Sequence, residues 1–172
     1  MKTLILGGVR SGKSRLAESL ATRSGQPVRY VATATAGDDE MRSRISIHRQ
    51  RRPADWTVVE EPTRLAAALQ QNAAGTFVIV DCLTLWLTNL LMANDENVLT
   101  RERDALLATL PHLAGHIVFV SNETGMGIMP MGELSRRFAD EAGRLHQEIA
   151  QACERVVWTV AGLPSVLKGE PL

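Results

Sequence analysis

The sequence predicts an α/β fold, a mostly parallel sheet with helices on both faces. Three observations point there. Short apolar runs alternate with longer helical patterns along the chain. None of those runs alternates apolar with polar residues, which is the pattern of strands buried on both faces. The first run leads directly into a glycine-rich turn followed by a helical pattern. With 172 residues, 45% of them hydrophobic, the chain fits one domain over 1–172 with a sizeable core. Right-handed crossovers between the strands would make it doubly wound.

In chain order, Thr3–Leu6 reads as the first strand, Ser14–Arg23 as a helix and Val28–Ala32 as a strand. A helix is expected over Asp39–Gln50. Acidic residues open that segment, basic residues close it and Pro53 stops it, an order that complements the helix dipole. A short strand, Thr57–Glu60, and a helix, Pro62–Asn72, come next. Phe77–Val80 is a strand, Leu83–Met92 and Leu99–Leu110 are helices, and Ile117–Ser121 is a strand. Glu133–Glu154 is the clearest helix. Leu134, Phe138, Leu145, Ile149 and Ala152 recur at steps of three or four or multiples of them, an apolar stripe expected to lie on the sheet. Val156–Ala161 is the last strand, and the tail after Pro164 is expected to fray. No repeat, low-complexity segment or interdomain linker is visible.

Composition excludes several classes. Lys+Arg and Asp+Glu both number 19, so binding nucleic acid through bulk charge is not expected. The apolar fraction argues against a disordered chain. The longest apolar stretch, Cys82 to Ala93, is about half the roughly 20 residues that cross a bilayer. Gly7-Gly8 ends the first apolar run too early for a signal peptide, and a cytoplasmic location is expected. Cys82 and Cys153 lack metal-ligand spacing and read as small buried hydrophobes.

Gly7-Gly8-Val9-Arg10-Ser11-Gly12-Lys13-Ser14 matches G-x-x-x-x-G-K-[ST] in full. The glycines let backbone N–H groups turn inward, and the following helix N-terminus completes an anion site. Lys13 can reach the β- and γ-phosphates, and the Ser14 hydroxyl can ligate Mg²⁺. Phe77-Val78-Ile79-Val80-Asp81 is an apolar strand ending in a carboxylate suited to the same Mg²⁺ shell. Together these features indicate a nucleoside triphosphate site and leave the phosphate acceptor open.

Five arginines crowd into residues 42–52 around His48. On a helix Arg44, His48 and Arg52 lie close to one face. An imidazole among guanidiniums resists protonation and keeps a lone pair that can attack phosphorus. The residues alone leave a solvated helix, an anion-binding helix and a covalent histidine all open. His112 reads as a surface residue, His116 as structural and His146 as a packing or surface residue on the last helix.

Several segments together resemble the bifunctional adenosylcobinamide kinase / adenosylcobinamide-phosphate guanylyltransferase family. They begin with Leu4 through Arg15, Tyr30 through Ala34, Asp39 through Ile45 and His48 through Trp56. Thr88-Asn89-Leu90-Leu91, Ser121 through Pro130, Arg137-Phe138, Gly143-Arg144 and Ala161-Gly162-Leu163-Pro164 complete the set. His48 with Arg52-Pro53 and Trp56, and Asn122-Glu123 with Gly125-Met126-Gly127, are the specific parts. The resemblance implies a RecA-like P-loop NTPase fold and a homo-oligomer, with a trimer described for the family. It implies two reactions: phosphorylation of adenosylcobinamide by a nucleoside triphosphate, then GMP transfer from GTP to adenosylcobinamide phosphate through a guanylylated histidine. His48 is the matching histidine. The implied GTP contacts are Gly7–Ser14, Ala32, Thr33, Ala34, Arg49, Gln50, Arg51, Arg52, Glu60 and Asp81, with GTP and ATP as substrates and Mg²⁺ as cofactor. The chain departs from the family pattern at Thr124 and Met129, which often are Val, at Asp81, where some members have Glu, and at His146, where many have Asn. A P-loop kinase for another small molecule and a nucleotide-switch module contacting nucleic acid through Arg42–Arg52 are the competing readings. Neither accounts for Asn122 to Pro130.

Overall fold

The structure is a computed structural model that describes residues 1–35, 37, 39, 42, 53–95 and 97–172. Its elements run β1 (Lys2–Gly7), α1 (Lys13–Ser24), β2 (Val28–Ala32), β3 (Thr57–Glu60), α2 (Leu65–Gln70), β4 (Phe77–Asp81) and α3 (Leu83–Leu91). They continue with α4 (Val98–Thr109), a 3₁₀ turn (Leu110–His112), β5 (His116–Asn122), α5 (Glu133–Ala152), β6 (Arg155–Val160) and β7 (Leu163–Lys168). The seven strands lie in the order β3-β2-β4-β5-β1-β6-β7. All neighbours are parallel except β7, which runs antiparallel to β6.

The unbroken apolar strands are explained by two cores, one on each face. Leu4, Leu6, Val78, Val80, Ile117 and Phe119 point to one side, among Trp86, Leu87, Leu106, Leu145 and Ile149 of the helices. Ile5, Ile79, Val118, Val120 and Val157 point to the other, over Ala17 and Ala21 of α1. Each such large side chain contributes about 1.5–3 kcal/mol when fully buried. Cys82 and Cys153 are free and buried within these cores. Burial raises both thiols, Cys82 to about 11 and Cys153 to about 12.

The structure redraws three expectations. The tail after Pro164 does not fray but forms β7. Lys168 anchors it by donating to the carbonyls of Ala150, Gln151 and Cys153 at 2.8, 3.1 and 2.6 Å, capping the carboxyl end of α5. The helix expected over Pro62–Asn72 shortens to α2, because Glu61 Oε1 takes the Thr63 and Arg64 N–H groups before the helix begins. The stripe on α5 is buried only at Leu145 and Ile149, with Ala142 and His146 beside them. Ala152 is exposed. Leu134 and Phe138 line a cavity of about 400 Å³ between α3, α5 and the Thr124 and Pro130 segment, and Phe138 also packs against the core. The helix expected over Asp39–Gln50 lies outside the described residues, apart from Asp39 and Arg42. No described helix is long and apolar enough to cross a membrane.

Candidate active site at the carboxyl edge of the sheet

Parallel pairing brings the carboxyl ends of the strands to one edge. Gly7 lies opposite Asn122 on one side and Thr159 on the other, and Ala32 lies between Glu60 and Asp81. The phosphate loop starts at this edge. A Cβ at Gly7 would collide with the Thr159 carbonyl oxygen and Ser11 Oγ, so only glycine lets the chain turn there. Gly12, at φ 102°, launches α1, and a Cβ there would press on Gly162. Ser11 is buried, and its Oγ has no hydrogen-bond partner among the described residues. A buried donor of this kind inside the loop fits an anion as its partner.

Lys13 is buried, 6% exposed, and its Nζ donates to the Gly8 carbonyl at 2.6 Å. Burial lowers its pKa, and the Asp81 carboxylate works in the opposite direction. On the next residue, Ser14 Oγ donates to Asp81 Oδ2 at 2.8 Å. The hydroxyl of Tyr30, the only tyrosine, donates to the same oxygen at 2.6 Å. Ser14 and Asp81 therefore present two hard oxygen donors side by side. That set fits a Mg²⁺ ion whose remaining shell comes from phosphates and water. The described residues contain no group of three or more His, Cys, Asp or Glu arranged to hold a metal, so a protein-only cage is not an alternative there.

Ala32, Thr33 and Ala34 continue β2 past Asp81. Thr33 Oγ1 donates to the Cys82 carbonyl and accepts from the Cys82 N–H, at 2.7 and 2.8 Å. Asn89 of α3 donates its amide to the Thr33 and Pro62 carbonyls at 2.8 and 3.0 Å. This holds the segment at the foot of the phosphate site. Glu60 ends the exposed edge strand β3. It aligns with Ala32 and, across it, with Asp81 at the same sheet edge, two strand steps or about 10 Å from Asp81 at ordinary sheet spacing. Gly7–Ser14, Ala32–Ala34 and Asp81 are brought together. His48, Arg49, Gln50, Arg51 and Arg52, together with Arg44, lie outside the described residues.

Between β4 and β1, the end of β5 lies at the same edge of the sheet. Asn122 Nδ2 donates to Thr84 Oγ1 at 3.1 Å. The Glu123 N–H donates to the Gly7 carbonyl at 2.9 Å, tying this segment to the phosphate loop. Glu123 Oε1 accepts the Gly125 N–H at 2.5 Å. Behind it, the His146 ring reaches Ser121 Oγ at 2.7 Å through Nε2, and its Nδ1 lies 3.7 Å from Glu123 Oε2. Tyr30, Asn89 and His146 are the polar residues that sequence reasoning gave no such role. The available signal was a polar group beside apolar residues on the buried side of its element, which must find a partner there.

A glycine-rich loop gripping a lysine at the carboxyl edge of this sheet order gives the molecule the RecA-like P-loop NTPase fold. Its fold is similar to the crystal structure of the RadB recombinase, with TM-score 0.51 and 17% identity over 91% of this chain and 73% of that one. The model of the family described as "Cobinamide kinase / cobinamide phosphate guanyltransferase" matches residues 3–167, and the chain belongs to that family. It is 64% identical over 173 residues to the bifunctional adenosylcobalamin biosynthesis protein CobP of Pseudomonas aeruginosa, covering all of both chains. It is 38% identical over 182 residues to the bifunctional adenosylcobalamin biosynthesis protein CobU of Escherichia coli, covering 98% of this chain and all of that one. The chain is therefore an enzyme of a bifunctional kinase and guanyltransferase family in adenosylcobalamin biosynthesis.

Proposed function

We propose that the enzyme phosphorylates the aminopropanol hydroxyl of adenosylcobinamide with a nucleoside triphosphate, then moves GMP from GTP onto that phosphate through His48. It would act as a cytoplasmic homo-oligomer of single-domain chains. The observation that carries this reading is the Ser14–Asp81 pair beside buried Lys13 on the phosphate loop. Mg²⁺, bound at Ser14 and Asp81, would supply charge neutralisation at the transferring phosphate.

In the kinase step the acceptor oxygen bonds to the γ-phosphorus, the bond from that phosphorus to the β–γ bridging oxygen breaks, and the nucleoside diphosphate leaves with the electron pair. Lys13 leaves the Gly8 carbonyl for the β- and γ-oxygens. The acceptor proton passes to Glu123. Asp81 is the weaker candidate for that task because its carboxylate is committed, with Ser14, to the proposed Mg²⁺ site. The Glu123 side chain is 21% exposed and its backbone is joined to the phosphate loop.

In the guanylyl step neutral His48 attacks the α-phosphorus, and pyrophosphate leaves with its electron pair. The phosphate of adenosylcobinamide phosphate then displaces the imidazole and takes the GMP. Arg49 and Arg52 counter the charge on the departing pyrophosphate. Gly7–Ser14, Ala32–Ala34, Gln50, Arg51, Glu60 and Asp81 complete the proposed nucleotide contacts. The test is incubation with GTP labelled at the α-phosphate, followed by denaturation. An acid-labile adduct is expected in the wild type and not in His48→Ala, with release on adding adenosylcobinamide phosphate. An equal adduct in both proteins, or none in the wild type, removes the covalent step.

A further inference from the structure

The phosphate chemistry uses no residue of α5, yet α5 places a buried imidazole against the proposed base. His146 is 7% exposed and packs against the end of β5. We propose that His146 is a positioning residue for Glu123, presenting Nδ1–H to Oε2 and fixing the carboxylate toward the acceptor hydroxyl in the kinase step. This rests on the reading of Glu123 as the proton acceptor.

The tautomer follows from the partners. A neutral imidazole has one N–H and one lone pair. Ser121 is fully buried, and its hydroxyl meets Nε2 at 2.7 Å. If Nε2 carried the proton, the Nδ1 lone pair would face the Glu123 carboxylate and repel it. With the hydroxyl donating to Nε2, Nδ1 carries the proton and faces Oε2 at 3.7 Å. That separation exceeds a hydrogen bond, so the contact is a charge–dipole restraint. Burial lowers the His146 pKa, which keeps the ring in this neutral form. Glu123 is thus held at three points: its N–H by the Gly7 carbonyl, Oε1 by the Gly125 N–H and Oε2 by the imidazole. The restraint acts on the carboxylate and leaves the nucleotide-binding groups untouched.

Two amide substitutions separate this role from packing. An asparagine amide overlays the Nδ1 side of a histidine, and a glutamine amide overlays the Nε2 side. In full-length enzyme, His146→Asn should hold kinase kcat within about threefold, while His146→Gln and His146→Leu lower it about tenfold. KM for the acceptor and guanylylation by labelled GTP should be unchanged in all three. Glu123→Gln should lower kinase kcat about a hundredfold or more, and adding His146→Gln to it should cause no further loss. Equal kcat in the Asn and Gln variants, or guanylylation falling in step with the kinase, overturns the proposal. If His146→Leu fails to fold, the Asn–Gln comparison still decides. Undiminished kcat in Glu123→Gln overturns the base assignment, and the proposal with it. A slow Glu123→Gln beside wild-type rates in both amide variants overturns the His146 role alone.

Discussion

Ser14 Oγ and Asp81 Oδ2 meet at 2.8 Å, so the last residue of the phosphate loop and the last residue of β4 are one unit. Breaking it should affect chemistry more than folding. Asp81→Asn is expected to lower kinase kcat/KM about a hundredfold, the usual scale for losing one preorganised charge-stabilising group. The midpoint of thermal unfolding should move little. Titrating Mg²⁺ against initial rate checks this, since an unchanged metal dependence would remove Asp81 from the proposed role.

Tyr30 is 1% exposed and makes the second contact to the same carboxylate oxygen, at 2.6 Å. Tyr30→Phe keeps the ring in the core and deletes only the donor. A hydrogen bond to a charged acceptor contributes about 1.5–3 kcal/mol, and urea unfolding should show a loss of that order. Kinase kcat should fall less than about tenfold, because Ser14 still holds Asp81.

Asn89 joins two otherwise separate carbonyls, those of Thr33 and Pro62. Asn89→Ala should destabilise the protein by about 2 kcal/mol, the scale for leaving buried acceptors unpaired. Asn89→Asp should be worse, because it sets a carboxylate against two carbonyl oxygens. Equilibrium urea unfolding of the two variants gives the order directly.

Burial holds the folded-state pKa of His146 below its ordinary 6.5. As pH falls from 6.5 toward that lower value, the unfolded chain takes up the proton and the folded chain resists it. Acid therefore favours unfolding in this window, and no such penalty exists above 6.5. Wild-type stability should drop through the window relative to His146→Asn, whose side chain does not titrate. Parallel curves for the two proteins from pH 7.5 to 5 would contradict the assignment.

The phosphate loop and the strand ending in Asp81 were legible because each is a contiguous run whose residue types permit few other arrangements. The parallel sheet was legible for the same reason, since β1, β4 and β5 are apolar on both faces. β7 was missed because Leu163–Lys168 is largely exposed. It is held by pairing with β6 and by the grip of Lys168 on the end of α5, neither of which is a local pattern. Tyr30, Asn89 and His146 reach partners 51, 56 and 25 positions away. Such contacts exist only once the topology sets the strands side by side. The resemblance named Glu60 among the nucleotide contacts, and its alignment with Ala32 and Asp81 at one sheet edge comes from strand pairing that no local pattern carries.

The Gly162 N–H donates to the Ser11 carbonyl at 2.9 Å, so the tip of the β6–β7 hairpin buttresses the phosphate loop from outside. During synthesis the loop emerges from the ribosome early but lacks this support until residue 162 has followed it. A nascent chain should therefore hold nucleotide poorly however complete its first strands are, and full affinity should arrive only when that late hairpin docks.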